Sequence, residues 1–313
     1  MALKRNVLIF HSGALGDFVL SWPLALAFGR LFAQSRVFYV TAREKGQLAE
    51  RVLRIESLDV EAGWHPLFGE SPRLPDVPGR LLAGAHAVAG FVADPGTAWE
   101  RNVRAATGGP PPAGAEVLAL AAHPPADFSG HHTDHLLQQL APAMVWQKGV
   151  AQMLASIRQR GLGAEPTLGG PVVIHPGSGS PAKCWPAERF VELARRLTEA
   201  GRPVRFVVGE VEQERWPASQ LDALAKAGDL QRPTSPVGLL DALAGASAFV
   251  GNDSGPGHLA GMLGLPTVSL FGPTDPRVWQ PIGPRITVVH RPALDQIAVD
   301  DVLAALGSPG GGP

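Results

Sequence analysis

The chain has one cysteine, Cys184, and one tyrosine among 313 residues. A lone thiol cannot close an intramolecular disulfide, and such sparing use suits a reducing compartment, so the cytoplasm is the expected location. Charge is also scarce: charged residues make up 18%, with 27 Lys and Arg against 28 Asp and Glu. That balance provides no global basic field, so binding of nucleic acid is not expected. Long apolar runs are absent too. The one near the N-terminus, Val7–Phe10, is too short for a signal peptide or a membrane span. No repeat recurs at a fixed period.

Glycine and proline are plentiful instead. The 37 Gly and 30 Pro make up about a fifth of the chain, against roughly 12% in an average protein. They fall mostly between elements. GGPPP at 108–112 reads as a surface loop and GSPGGGP at 307–313 as a flexible tail. Hydrophobic residues at 45% supply material for buried sheets, and the length suits two domains of roughly 150 residues.

Short β-type runs alternate with helical patterns, which predicts parallel sheets of the α/β class. The first half offers strands at Val7–Phe10, Val37–Val40, Ala87–Val92 and Val117–Leu120, with helices near 17–33, 42–54, 97–106 and 132–158. The second half restarts with Val172–His175, Val204–Val208, Ala248–Val250, Thr267–Leu270 and Ile286–Val289. Its helices fall near 187–200, 212–227, 236–245 and 257–264, and a last one near 299–306 could pack on either half. Between the halves, GLGAEPTLGGP (161–171) reads as a linker. The expected division is therefore 1–160, a linker at 161–171, and 172–306. Two doubly wound halves would face each other across a cleft, with ligands at the carboxyl ends of the strands.

Three loops that follow strands carry more polar chemistry than turning requires. In HSGALGDFVLSWP (11–23), Asp17 stands where an apolar helix begins. It is placed either to cap that helix or to act as a general base. A full G-x-G-x-x-G is missing, so the dinucleotide-binding fingerprint is weak here. In HPGSGSPAKCWPAERF (175–190), Ser178, Gly179 and Lys183 offer donors and a cation ahead of a helix start, the makings of a phosphate site. In FVGNDSGPGHLAG (249–261), Asp253, Ser254, Gly255 and His258 lie at a helix mouth, where free amides attract anions. His131 and His135 share a helix face as metal ligands would, but cap or surface roles explain them as well.

With these motifs the sequence resembles glycosyltransferase family nine, the heptosyltransferases. The resemblance is carried by GALGDFVLSWP (13–23), HPGSGSPAKCWPAERFVEL (175–193) and FVGNDSGPGHLAGMLGLPTVSLFGPTDP (249–276). It implies a GT-B fold of two Rossmann-like domains, with the acceptor on the first and the nucleotide-sugar on the second. It also implies inverting transfer without a metal or other cofactor. Asp17 matches the family's base. Ser178 and Lys183 match diphosphate positions, with Gly179 where a hydroxyl residue is more usual. Asp253 matches the sugar contact, and Ser254, Gly255 and His258 match the diphosphate loop. Glu210 and Glu212 both suit the ribose. Gly16, Arg43, Lys45, Arg101 and Arg104 are the candidates for an anionic acceptor. The partners implied are an ADP-sugar and a lipopolysaccharide core glycan, met at the inner face of the cytoplasmic membrane. A nucleotide-sugar epimerase of the same architecture, or a binder without catalysis, would share the donor loops. The need for an acceptor separates the first, and the effect of Asp17→Asn the second.

Overall fold

The computed structural model describes residues 6–70 and 72–307, so most of the expected tail, residues 308–313, lies outside the described residues. The chain divides into two compact units. One runs to Phe128 and takes in His132–Leu154, and the other comprises Ser129–His131 and the chain from Ala155 on.

In the N-terminal unit, β1 (Asn6–His11), β2 (Arg36–Thr41), β3 (Glu56–Asp59), β4 (Ala85–Phe91) and β5 (Glu116–Ala119) form a parallel sheet in the order β3-β2-β1-β4-β5. In the C-terminal unit, β6 (Val172–His175), β7 (Val204–Val207), β8 (Asp229–Gln231), β9 (Ala248–Asn252), β10 (Thr267–Phe271) and β11 (Ile286–His290) are parallel in the order β11-β10-β9-β6-β7-β8. Each sheet reverses direction beside its first strand, between β1 and β4 and between β6 and β9. In open α/β sheets the carboxyl ends of the strands at such a reversal leave room for a ligand. The central strands are continuous apolar runs because both faces are covered: Val7, Leu8, Ile9 and Phe10 are all buried, as are Val172, Val173 and Ile174.

All nine expected strands are present within two residues. Two more, β3 (ESLD) and β8 (DLQ), are short, polar and partly exposed sheet edges, so they lack the apolar run that marks a strand. Three expected helices are each two. The first is Leu15–Leu20 and Trp22–Leu31, the second His132–Gln139 and Met144–Arg160, and the third Glu210–Arg215 and Ala218–Ala227. Pro23, Pro142 and Pro217 lie at or beside the breaks, where a proline withholds an N–H and restricts the residue before it. A further helix, Asp76–Ala83, was not expected.

The stretch 161–171 is not a free linker. The N–H groups of Leu162 and Ala164 donate to Met262 O and Leu263 O, and that of Thr167 to Ala246 O, each at 2.9 Å. A Cβ on Gly161 would fall 2.5 Å from Gly264 Cα. Backbone bonds thus anchor a segment with few apolar side chains, and the division between units falls within the helix Met144–Arg160 rather than after it. The final helix, Val299–Ala305, packs on the C-terminal core through Val302, and Asp300 pairs with Arg196 at 2.6 Å. No helix among the described residues is long and apolar enough to cross a membrane.

Candidate functional site

Two of the three loops meet because their strands are neighbours. β6 pairs with β9, so the turn after His175 lies beside the turn after Asn252. Ser178 Oγ donates to Asp253 O at 3.0 Å, and Lys183 Nζ reaches Asp253 Oδ2 at 2.9 Å. The Asp253 side chain is only 9% exposed, so this lysine is no ordinary solvated one. Ser254 occupies the N-cap of the helix Gly255–Leu263, yet its hydroxyl donates to Asn252 O at 3.1 Å instead of capping. His258 is buried in the first turn of that helix, and Gly179 is exposed with open space where a Cβ would stand.

Sequence reasoning missed the residue that joins these loops. Asn252 is fully buried. Its Nδ2 donates to Pro176 O at 2.8 Å and Gly177 O at 3.2 Å, and its Oδ1 accepts from the Trp185 N–H at 3.0 Å. One amide therefore holds both ends of the Gly177–Lys183 loop against β9. The signal was an Asn at the end of an apolar strand, since a buried amide must find partners.

The two glutamates occupy different surroundings. Glu210 is exposed at the start of its helix, whereas Glu212 is buried. Glu212 Oε2 accepts from the Gly209 N–H at 2.8 Å, and its Oε1 lies 1.9 Å from where a Gly177 Cβ would be. Only glycine fits there. With Ser178, Trp185 and Trp216, Glu212 lines a hollow of about 370 Å³. His175 Nδ1 donates to Val207 O at 2.9 Å. Burial lowers the proton affinity of His175, and the Glu212 carboxylate works against that shift.

In the N-terminal unit Asp17 sits in the first turn of Leu15–Leu20, with Gly16 just before it, and makes no cap bond. Its side chain is 19% exposed, and His123 Nε2 lies 3.4 Å from Asp17 Oδ2. Lys45 Nζ donates to the carbonyls of Ser12 and Gly13. Burial lowers the affinity of Lys45 for its proton, and the negative charge of Asp17 raises it. His11 is buried edge-on against Phe18, and burial, reinforced by Lys45, pushes its pKa down to about 3. A Cβ on Gly13 would come within 3.0–3.2 Å of His11 and Asp17.

The expected acceptor arginines have local partners. Arg43 pairs with Asp59 at 3.4 Å, Arg101 donates to Gly96 O at 2.9 Å, and Arg104 holds Glu100 at 2.6 Å and Val117 O at 2.7 Å. What the fold brings to Asp17 is Lys45 and His123. His131 donates to Gln280 O at 2.9 Å and His135 stacks edge-on against Phe128. Among the described residues no three His, Cys, Asp or Glu side chains gather as metal ligands.

The family model "Glycosyltransferase family 9 (heptosyltransferase)" matches residues 126–301. Lipopolysaccharide heptosyltransferase 1 of Pseudomonas aeruginosa is 45% identical over 106 residues, 34% of this chain and 29% of that protein. Lipopolysaccharide heptosyltransferase 3 of Escherichia coli is 32% identical over 116 residues, 35% of this chain and 33% of that protein. The matches cover from 29% to 56% of the length of the curated relatives. Among solved structures, E. coli heptosyltransferase WaaC with ADP superposes with a TM-score of 0.64 at 17% identity, covering 96% of this chain and 98% of that one. E. coli ADP-heptose lipopolysaccharide heptosyltransferase II gives 0.68 at 17% identity, covering 98% of each. That likeness is one of fold, GT-B. With more than half of its length matched by the family model and its loops at the sheet reversals, the chain belongs to glycosyltransferase family 9, the heptosyltransferases.

Proposed function

We propose that the chain catalyses inverting, metal-independent transfer of a heptose from ADP-heptose to a lipopolysaccharide core glycan at the inner face of the cytoplasmic membrane. An acceptor hydroxyl is a poor nucleophile. Asp17 takes its proton as the oxygen attacks the anomeric carbon, a contribution of about 10²–10⁴-fold. The C–O bond to the diphosphate breaks and ADP leaves with the electron pair. Lys183, the Ser178 hydroxyl and the amides at the mouth of Gly255–Leu263 stabilise that charge, so no metal is required. Asp253 and His258 meet the sugar and the diphosphate. Glu212, beside Ser178 in the wall of the same hollow, takes the ribose.

The observation that supports this reading is the junction of Ser178 and Lys183 on Asp253, which brings the donors of two distant motifs to one place. Related E. coli heptosyltransferase structures hold ADP and ADP-2-deoxy-2-fluoro heptose, which supports an adenosine donor. Calorimetric titration with ADP, UDP and GDP is the test, and ADP should bind tightest. Tighter UDP or GDP would remove the donor assignment. Conversion of ADP-heptose to an epimer without acceptor would replace transfer by epimerisation.

A further inference from the structure

Under the proposed reaction, each turnover leaves Asp17 protonated, and that proton must go before the next acceptor is deprotonated. The groups that face Asp17 differ in their fitness to receive it. The Lys45 ammonium is already charged and donates to Ser12 O and Gly13 O. His11 is buried among aromatic rings. His132, which also acts electrostatically on His11, is buried with Nε2 donating to Ala122 O at 2.9 Å. His123 is different: its side chain is 63% exposed while Nε2 stands 3.4 Å from Asp17 Oδ2.

The loop that carries His123 is built, not draped. Gln139 Oε1 accepts from the Ala121 N–H at 2.6 Å, and Gln139 Nε2 donates to Ala121 O at 3.1 Å. His132 holds the next carbonyl, Ala122 O. Two side chains from one helix thus fix the backbone just before His123, which aims an exposed imidazole at a mostly buried carboxylate.

We propose that His123 is a proton-handling residue of the transfer reaction, the group that takes the acceptor's proton from Asp17 and delivers it to solvent. The proton passes from the acceptor hydroxyl to Asp17 Oδ2, then to the His123 Nε2 lone pair of the Nδ1–H tautomer, then to water. The electron pair of the broken C–O bond stays with ADP throughout. Asp17 is left as carboxylate and His123 returns neutral.

This inference rests on Asp17 being the base, so the test separates the two. Transfer from ADP-heptose to deacylated lipopolysaccharide core oligosaccharide is followed in the full chain with His123→Ala, His123→Gln and Asp17→Asn. The expected result is a fall in kcat of roughly 10–100-fold for His123→Ala, with unchanged acceptor KM and ADP affinity. Added imidazole should restore much of the rate. His123→Gln should be equally slow and not rescued, because the amide fills the site that imidazole would enter and takes up no proton. A normal rate for His123→Ala, a loss confined to acceptor KM, or a loss that imidazole leaves untouched would overturn the role of His123 while leaving the base in place. Full activity of Asp17→Asn would remove the base itself, and this inference with it.

Discussion

The first strand of each unit ends in a buried histidine, His11 on β1 and His175 on β6. The two are supported differently. His175 has a carbonyl partner in Val207 and a carboxylate, Glu212, acting on it. His11 packs on Phe18 and Phe91, and although the Asp17 backbone favours its charged form, burial outweighs that and the nearby charge of Lys45 is of the wrong sign to stabilise an imidazolium. The loops that follow differ in the same way. The turn after β6 is bracketed by Asn252, Glu212 and the Asp253 junction, all inside the C-terminal unit. The turn after β1 is held by one lysine on two carbonyls. Donors aimed at a leaving group's charge work best when fixed beforehand, whereas a base needs one correctly placed carboxylate. The more rigid polar network stands where the more demanding electrostatics are proposed.

The largest expected effect breaks this comparison on its N-terminal side. Asp17→Asn should slow transfer at least about a hundredfold while ADP affinity, measured by calorimetry, stays the same. A matching loss of ADP affinity would mean the two loops do not divide the labour. On the C-terminal side, Asn252→Leu leaves the Trp185 N–H and two carbonyls without their partner. It should cost about 2–4 kcal/mol of stability in urea unfolding and weaken ADP binding. Binding that survives would show that the loops hold together without the amide. Lys183→Gln is expected to cost less, about tenfold in transfer rate, because the lysine is partly exposed and one of several donors. An unchanged rate would take the cation out of the leaving-group site.

The smallest effect sharpens the contrast between the histidines. In the unfolded chain each takes up a proton near pH 6.5, but folded His11 does so only near 3 and the affinity of folded His175 is also lowered. Below pH 6.5 the unfolded state therefore binds more protons. Stability is full above that pH and declines as the solution is acidified, by at most about 1.4 kcal/mol per pH unit for each histidine. His11→Phe should remove one share of this slope between pH 6.5 and 4, leaving the share of His175. An unaltered slope would place the titration elsewhere.

The central strands were legible because an apolar run such as Val172–His175 is a local property. β3 and β8 were not, since only the neighbouring strand makes ESLD and DLQ extended. Lys183 and Asp253 were legible as motif members but not as partners. Asn252 lies inside the FVGNDSGPGH motif with no local mark of its role, because its importance lies in three contacts made across the sheet. The charge of Arg101 and Arg104 was equally legible, but not their engagement by Gly96 O, Glu100 and Val117 O.

By itself the sequence determined that this is a chain of two α/β halves, with polar loops after particular strands and the motifs of its family. Periodicity, glycine placement and the residue types at a helix mouth are written within a few positions of each other. Tertiary structure alone decided that Asn252 would close on Pro176, that Lys183 would find Asp253 and that His123 would stand against Asp17. Those meetings follow from which strands lie side by side, and strand order is chosen by the packing of whole sheets rather than by any local stretch.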